Sequence, residues 1–290
     1  MTVGIIGLGI MGGAYARNLV AAGETVIGVD PLEDARERVA EAGGEAYAEP
    51  GSWIGACDLV ILSLASPSIL ASVTTALRGL VKPGQIVLET GTFALADKEA
   101  ARQTLAKADA ILLDCPVSGT GAQAAKGDLV MMASGPGDAI EQARPLMEKF
   151  TRLVINAEPF GNGTRLKFVA NHAVALHNAA AAETLHYADE LGLDREMVYE
   201  LLSSGAGQSR MSDLRMPLMM SGSYRPPTAS LKMFEKDFSV IGNSLAEHDV
   251  KAPLFEAARR LYEQAFADLP EDYDAAAVFE IYQQAKARKD

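Results

Sequence analysis

Residues 3–6 form an uninterrupted apolar run, followed at once by Gly7-Leu8-Gly9-Ile10-Met11-Gly12 and then by a helical pattern that stops near Gly23. A strand that turns into a helix through glycines at this spacing leaves few folds open. Gly7 permits a tight turn, Gly9 lets a ligand approach bare backbone, and Gly12 lets the helix pack on the strand it has just left. The first N–H groups of that helix have no partner within it, so they and the helix dipole face whatever sits on the turn. The six residues Gly7, Leu8, Gly9, Ile10, Met11 and Gly12 therefore read as a cradle for the pyrophosphate of a dinucleotide. Residues 25–29 read as the second strand, ending at Asp30, 18 positions beyond Gly12. An acid there accepts hydrogen bonds from an adenosine ribose and repels a 2′-phosphate, which favours NAD over NADP. Arg36 and Arg38, on the next helix, are the residues that could soften that preference. A ligand-free glycine turn and a flavin site are the rival readings of the same stretch.

The strand and helix alternation continues through apolar runs at 59–64, 86–88 and 111–113, as in a doubly wound parallel sheet. Residues 128–134 read as a further strand, and 153–155 are expected to close the sheet. Residues 59–77 carry no charge and approach membrane-spanning length, but Pro67 and six Ser or Thr residues interrupt them, so a strand, a loop and a helix are expected there. Ligands bind at the carboxyl ends of strands in such sheets, which directs attention to Leu64, Ser66, Thr90-Gly91-Thr92 and the segment from Cys115 to Gly121. Taken singly, each Ser or Thr of these loops is as well explained as an ordinary turn residue.

Beyond Gly161 the strand signals stop, and residues 164–191, 194–203, 211–221, 229–248, 252–268 and 274–287 all read as helical. The expected fold is α/β: an N-terminal Rossmann-like domain over 1–160, a long connecting helix, and an all-helical C-terminal domain over 161–290. Asn162 or Thr164 can cap the long helix, and Gly192 can stop it. Lys167 and Asn171 stand four residues apart, so an amine and an amide share one face near the start of an otherwise apolar helix. That is a candidate catalytic pair, in which only the amine carries protons. A lysine that snorkels to solvent beside an asparagine that braces a turn explains the same spacing.

A net charge of -12 and a pI near 4.9, with Lys and Arg scattered along the chain, argue against nucleic-acid partners. Cys57 and Cys115, both in apolar stretches, fit buried thiols in a reducing, cytoplasmic setting. The start of the chain carries no basic region of a secretory signal, and neither a membrane nor a metal is expected. The four histidines have no acidic cluster around them, and His172 and His177 are five apart.

Together the motifs resemble the β-hydroxyacid dehydrogenase family, which includes 3-hydroxyisobutyrate dehydrogenases and tartronate semialdehyde reductases. The resemblance rests on Gly7-Leu8-Gly9-Ile10-Met11-Gly12, Asp114-Cys115-Pro116-Val117-Ser118-Gly119, Gly161-x-Gly163-x-x-x-Lys167-x-x-x-Asn171 and Lys236-Asp237-Phe238, in order along essentially the whole chain. It implies Lys167 as general acid/base, Asn171 as its helper, Ser118 and Gly119 as the cradle of a substrate carboxylate, and Thr92 and Lys236 as contacts of the nicotinamide cofactor. It also implies a homodimer or homotetramer acting on a small hydroxylated carboxylic acid. Thr120 stands where the family has a second glycine, bringing bulk and a hydroxyl beside that cradle, and Phe238 stands where Leu is commoner. The run Ser203–Met211, Arg215-Met216-Pro217 and Asp272-Tyr273-Asp274-Ala275-Ala276 are similar to the branch acting on four-carbon sugar acids such as L-threonate, with Ser209 and Arg215 as possible polar contacts. A non-catalytic dinucleotide sensor has no reason to keep Lys167, Asn171 and Ser118 together, and the imine reductases, which share the architecture, typically lack the lysine. A decarboxylating phosphogluconate dehydrogenase has a much longer helical domain.

Overall fold

The computed structural model describes residues 1–287 and divides the chain into two compact units, Met1–Lys167 and Phe168–Asp290. In the first unit the order is β1 (Thr2–Ile6), α1 (Ile10–Ala21), β2 (Thr25–Val29), α2 (Glu33–Glu41), β3 (Glu45–Tyr47), β4 (Leu59–Leu62), α3 (Pro67–Leu77), β5 (Ile86–Glu89), α4 (Leu95–Ala106) and β6 (Ile111–Asp114). The strands pair in parallel in the order β3-β2-β1-β4-β5-β6, so the direction of winding reverses between β1 and β4. Their unbroken apolar sequences follow from burial on both faces. Alternate side chains go to opposite cores: Val3, Ile5, Leu59, Ile61, Ile86 and Leu88 to one, and Ile6, Val60, Leu62 and Val87 to the other.

Residues 153–155 do not close this sheet. β7 (Val117–Ser118), α5 (Gly121–Ala124), β8 (Val130–Ala133), α6 (Gly137–Met147) and β9 (Leu153–Asn156) build a separate three-stranded sheet in the order β7-β8-β9. Here β7 runs antiparallel to β8, and β8 parallel to β9. Among the described residues the two sheets meet through a bridge in which Asp114 and Ser134 exchange backbone hydrogen bonds at 2.9 and 2.8 Å. Period-2 patterning identifies a strand but not the sheet it joins.

α7 (Asn162–Glu190) is 29 residues long, about 43 Å at 1.5 Å per residue. It ends as the sequence predicts: Gly192 takes a φ of +70°, and the N–H groups of Gly192 and Leu193 return to the carbonyls of Asp189 and Ala188. The first turn of α7 belongs to the first unit. The remainder joins α8 (Arg195–Ser204), α9 (Arg210–Ser221), α10 (Leu231–Glu247), α11 (Pro253–Asp268), a 3-10 turn (Ala275–Val278) and α12 (Phe279–Ala287). Phe238 centres that helical core, with its ring 5.0 Å from those of both Phe255 and Tyr262. Among the described residues, no helix is long and apolar enough to cross a membrane.

Candidate active site

The glycine turn has the geometry that dinucleotide binding needs. Gly7 adopts a φ of +92°, and a Cβ there would lie 2.2 Å from the Ser63 carbonyl oxygen. A Cβ on Gly12 would lie 1.9 Å from the Gly7 carbonyl oxygen, so α1 can seat against the turn only through glycine. Gly9 differs: a Cβ there would meet nothing within 4 Å. No protein group requires glycine at that point, while the space above it admits a ligand against bare backbone. No side chain caps the N-terminus of α1, whose first N–H groups are thereby left for an anion. The residues present therefore fit a dinucleotide pyrophosphate.

Asp30 is 8% exposed at the carboxyl end of β2 and accepts the Leu8 N–H on Oδ2 at 2.8 Å and the Leu32 N–H on Oδ1 at 2.9 Å. It braces the glycine turn, and each oxygen keeps lone-pair capacity for a ribose hydroxyl. Arg36 Nη1 donates to the carbonyl oxygens of Asp30 and Pro31, both at 2.8 Å, which brings a guanidinium to the same strand end. Leu64 follows β4 and lies against Gly7; a Cβ on Gly7 would come within 3.5 Å of its Cδ2. Thr92 follows β5 in a loop shaped by its neighbours: Thr90 Oγ1 donates to the Leu62 carbonyl at 2.8 Å, and the Gly91 N–H donates to Glu89 Oε1 at 2.7 Å. Ser66, a turn residue, caps α3 by accepting the Ile69 N–H.

The loop bearing Ser118 and Gly119 leaves β6 at Asp114. Ser118 is held in β7 opposite Val130, and Gly119 takes a φ of +144°, where a Cβ would meet the Leu129 side chain at 2.4 Å. The hydroxyl of Thr120 caps α5. It accepts the Gln123 N–H at 3.3 Å while the Thr120 N–H donates to Gln123 Oε1 at 3.0 Å, a reciprocal cap on α5. α5 in turn packs on α1: Asn18 Nδ2 donates to the Ala124 carbonyl, and a Cβ on Gly121 would meet Ile10 Cγ2 at 2.6 Å. The two glycine-bearing loops of this unit are thus neighbours.

Beneath them lies a charge cluster that the sequence reading did not single out. The parallel register sets Glu89, the last residue of β5, beside Asp114, the last residue of β6. Two buried carboxylates side by side repel, and Lys98 from α4 separates them, with Nζ 2.7 Å from Glu89 Oε2, 2.7 Å from Asp114 Oδ1 and 2.7 Å from the Gly91 carbonyl. All three side chains are fully buried. Burial pushes Glu89 above the ordinary carboxylate range against the pull of Lys98. For Lys98 burial acts downward, but the two carboxylates outweigh it and hold the ammonium above its usual value. Burial, with Asp114 adding to it, also drives the neighbouring Cys115 thiol well up. A signal was present in the sequence. Lys98 shares the buried stripe of α4 with Ala101 and Leu105, and an acid ends each of two apolar strand runs.

Asp114 then receives the start of α7. Its Oδ2 accepts the Thr164 N–H at 2.8 Å and the Ser134 hydroxyl at 3.0 Å, and its Oδ1 accepts the Thr164 hydroxyl at 2.8 Å. Thr164 is therefore no cap; Asp114 supplies the negative charge at this helix N-terminus. The glycines of the Gly161-x-Gly163 pattern serve that docking. Gly161 takes a φ of +91° and donates to Ser134 Oγ, and a Cβ on Gly163 would lie 2.7 Å from the Asp114 carbonyl oxygen. Lys167 is three residues beyond Thr164 and half-buried, and Asn171 is one turn further on α7.

In the helical unit, Asn171 Nδ2 donates to Asp237 Oδ2 at 2.8 Å, and Lys236 Nζ lies 3.6 Å from Asp237 Oδ1. The sequence pattern Lys236-Asp237-Phe238 therefore splits its work: Phe238 fills the core and Asp237 orients Asn171. Ser209 caps α9, and the buried Arg215 pairs with Asp274 and Thr228. Among the described residues, no group of three or more His, Cys, Asp and Glu side chains could hold a metal. His172 stacks on Phe255 and His186 on Tyr282.

Residues 2–158 match the family described as the NAD binding domain of 6-phosphogluconate dehydrogenase, and residues 161–282 match that described as NAD-binding of NADP-dependent 3-hydroxyisobutyrate dehydrogenase. An L-threonate dehydrogenase of Cupriavidus necator is 30% identical over 97% of this chain and 95% of its own. A 3-hydroxyisobutyrate dehydrogenase of Salmonella typhimurium superposes with a TM-score of 0.88 at 27% identity, covering 97% of this chain and 99% of its own. The Mycobacterium tuberculosis 3-hydroxyisobutyrate dehydrogenase with L-serine gives 0.87 at 25% identity, covering 96% and 98%. With both halves of the chain matched by these families and a relative 30% identical along nearly its whole length, the chain belongs to the β-hydroxyacid dehydrogenase family of NAD(P)-dependent oxidoreductases.

Proposed function

We propose that this protein oxidises the hydroxyl-bearing carbon of a small hydroxy acid with NAD, and reduces the corresponding carbonyl acid in the reverse direction. The observation that carries this reading is the placing of Lys167 and Asn171 one turn apart on α7, a helix seated on the same Asp114 from which the Ser118–Gly119 loop departs. When bound, the nicotinamide supplies the centre that accepts or donates the hydride. Gly7, Gly9 and Gly12 with the N-terminus of α1 hold its pyrophosphate, Asp30 its ribose, and Leu64, Thr92 and Lys236 the nicotinamide half. Ser118 and the Gly119 N–H donate to the substrate carboxylate, and Thr120 keeps that loop in shape by capping α5. Lys167 Nζ takes the proton from the substrate hydroxyl during oxidation and returns it during reduction. Asn171, oriented by Asp237, steadies the amine and the substrate oxygen. Positioned proton transfer of this kind contributes about 10²- to 10⁴-fold, and fixing the orientation of the reacting carbon supplies much of the remainder.

A four-carbon sugar acid such as L-threonate is the substrate class favoured, on the likeness to the Cupriavidus enzyme; 3-hydroxyisobutyrate is the runner-up. Asp30 supports NAD, while Arg36 at the same strand end is the feature that tempers it. Val169, Tyr187, Met197 and Leu201 are more than 60% exposed on the helical unit, which supports a homodimer or homotetramer to be tested by sedimentation. Two buried free thiols support a reducing, cytoplasmic setting. The test of the main reading is an absorbance screen for NADH formation with threonate, erythronate, glycerate and 3-hydroxyisobutyrate. At least one acid should give turnover that Lys167→Ala abolishes while NADH still binds; near-normal turnover by that variant removes the lysine from the mechanism.

A further inference from the structure

The buried cluster does more than offset charge, because it ties together two segments of the site: Lys98 and Glu89 both hold Gly91, and Asp114 holds the start of α7. Lys98 Nζ holds the Gly91 carbonyl, one residue ahead of Thr92. Asp114 leads by backbone into the Ser118–Gly119 loop, and its carboxylate takes two hydrogen bonds from Thr164 and one from Ser134. Thr164, Lys167 and Asn171 follow the i, i+3, i+7 spacing of one helix face, so the turn gripped by Asp114 is continuous with the face that presents the amine. Glycine at 163 lets the helix start close on the backbone beneath it, since a Cβ there would lie 2.4 Å from the Met132 carbonyl oxygen and 2.7 Å from that of Asp114.

We propose that Asp114, charge-locked by Lys98, is a positioning residue for the hydroxy-acid reaction: through Thr164 it fixes the first turn of the helix carrying Lys167, and with Lys98 it sets that turn relative to the Thr92 and Ser118 loops. The inference rests on the reading of the site given above. Asp114 touches no reacting atom. Its work is spatial, and a displacement of about 1 Å at a reacting group can cost about 100-fold in rate.

The test uses the full-length protein and two substitutions at Thr164. Thr164→Val keeps shape and the backbone N–H but deletes the hydroxyl bond to Asp114; Thr164→Ser restores the hydroxyl. Amide hydrogen exchange is followed by mass spectrometry over 164–168 and, as a control, over 176–190. Turnover is expressed per NADH-binding site, counted by fluorescence titration. The expected result for Thr164→Val is roughly tenfold faster exchange over 164–168 alone, with kcat per site down roughly 10- to 100-fold, NADH affinity within about threefold of wild type, and recovery in Thr164→Ser. A purely structural role would lower the number of binding sites and leave kcat per site alone. Unchanged exchange over 164–168, or faster exchange with kcat per site unchanged, overturns the proposal. Ser134→Ala, which strips a different donor from the same carboxylate, is read by the same two measures should the valine variant fail to fold. A wild-type protein that turns over none of the acids sinks the hydroxy-acid reading instead, and the exchange measurement then decides alone whether Asp114 holds the helix start.

Discussion

Two buried carboxylates in this molecule have nearly the same surroundings and different consequences. Asp114 in the α/β unit has a lysine, a threonine donating both its N–H and its hydroxyl, and a helix N-terminus. Asp274 in the helical unit has Arg215, both donors of Thr228, and the N-terminus of the 3-10 turn through the Ala276 N–H. The chemistry of the two clusters does not separate them; what they are attached to does. The partners of Asp114 lead to loops and a helix turn bearing Thr92, Ser118 and Lys167. Those of Asp274 lead to packing elements, α9 and the segment before α10. A buried ion pair is by itself weak grounds for either stability or function, and its meaning comes from the segments it fixes.

The largest expected effect is at the output of the first cluster. Lys167→Ala should lower kcat about 10²- to 10⁴-fold with NADH affinity retained, as measured by steady-state rates and fluorescence titration. Next comes the direct contrast. Lys98→Met and Arg215→Met each strand a buried carboxylate and should each cost about 3–5 kcal/mol in urea unfolding. Only Lys98→Met should also lower kcat per NADH-binding site; a matching loss in Arg215→Met would erase the distinction. Lys98 adds a pH signature. Its folded pKa lies above the free value of 10.5, so its stabilisation is fully present below that pH and is lost as pH rises through the folded value. The alkaline limb of Tm against pH should therefore flatten in Lys98→Met. A smaller effect is expected at Asp30, where alanine should shift the NAD to NADP activity ratio by roughly tenfold, the weight of one charged hydrogen bond. The smallest is Thr120→Ala, a lost helix cap worth about 1 kcal/mol, readable as a lower Tm with the KM for the hydroxy acid nearly unchanged.

Much of this was legible in the residues. The glycine turn, Asp30 and the helical second half each depend on neighbours close in sequence, and the strand at 25–29 and the stop at Gly192 were found where expected. β3 escaped notice because Glu45-Ala46-Tyr47 alternates too briefly to register, and β7 because it is two residues long. Arg215 sits in a helix whose sequence gives no sign that its partner is 59 residues away. Thr120 drew attention as added bulk and a hydroxyl beside Ser118 and Gly119, and its capping bond with Gln123, three residues on, went unread.

Local order, then, was settled by the chain itself: periodicity fixes which segments are strands and helices, and glycine fixes where backbone must turn or touch, because both act over a few residues. Sheet membership, the pairing of Glu89 with Asp114, and the grip of Asp114 on Thr164 were settled only by the tertiary structure. They join groups as far apart as Val3 and Leu59 in the sheet, or Asp114 and Thr164 in the cluster, and the free energy of a buried charge depends on which partners arrive around it.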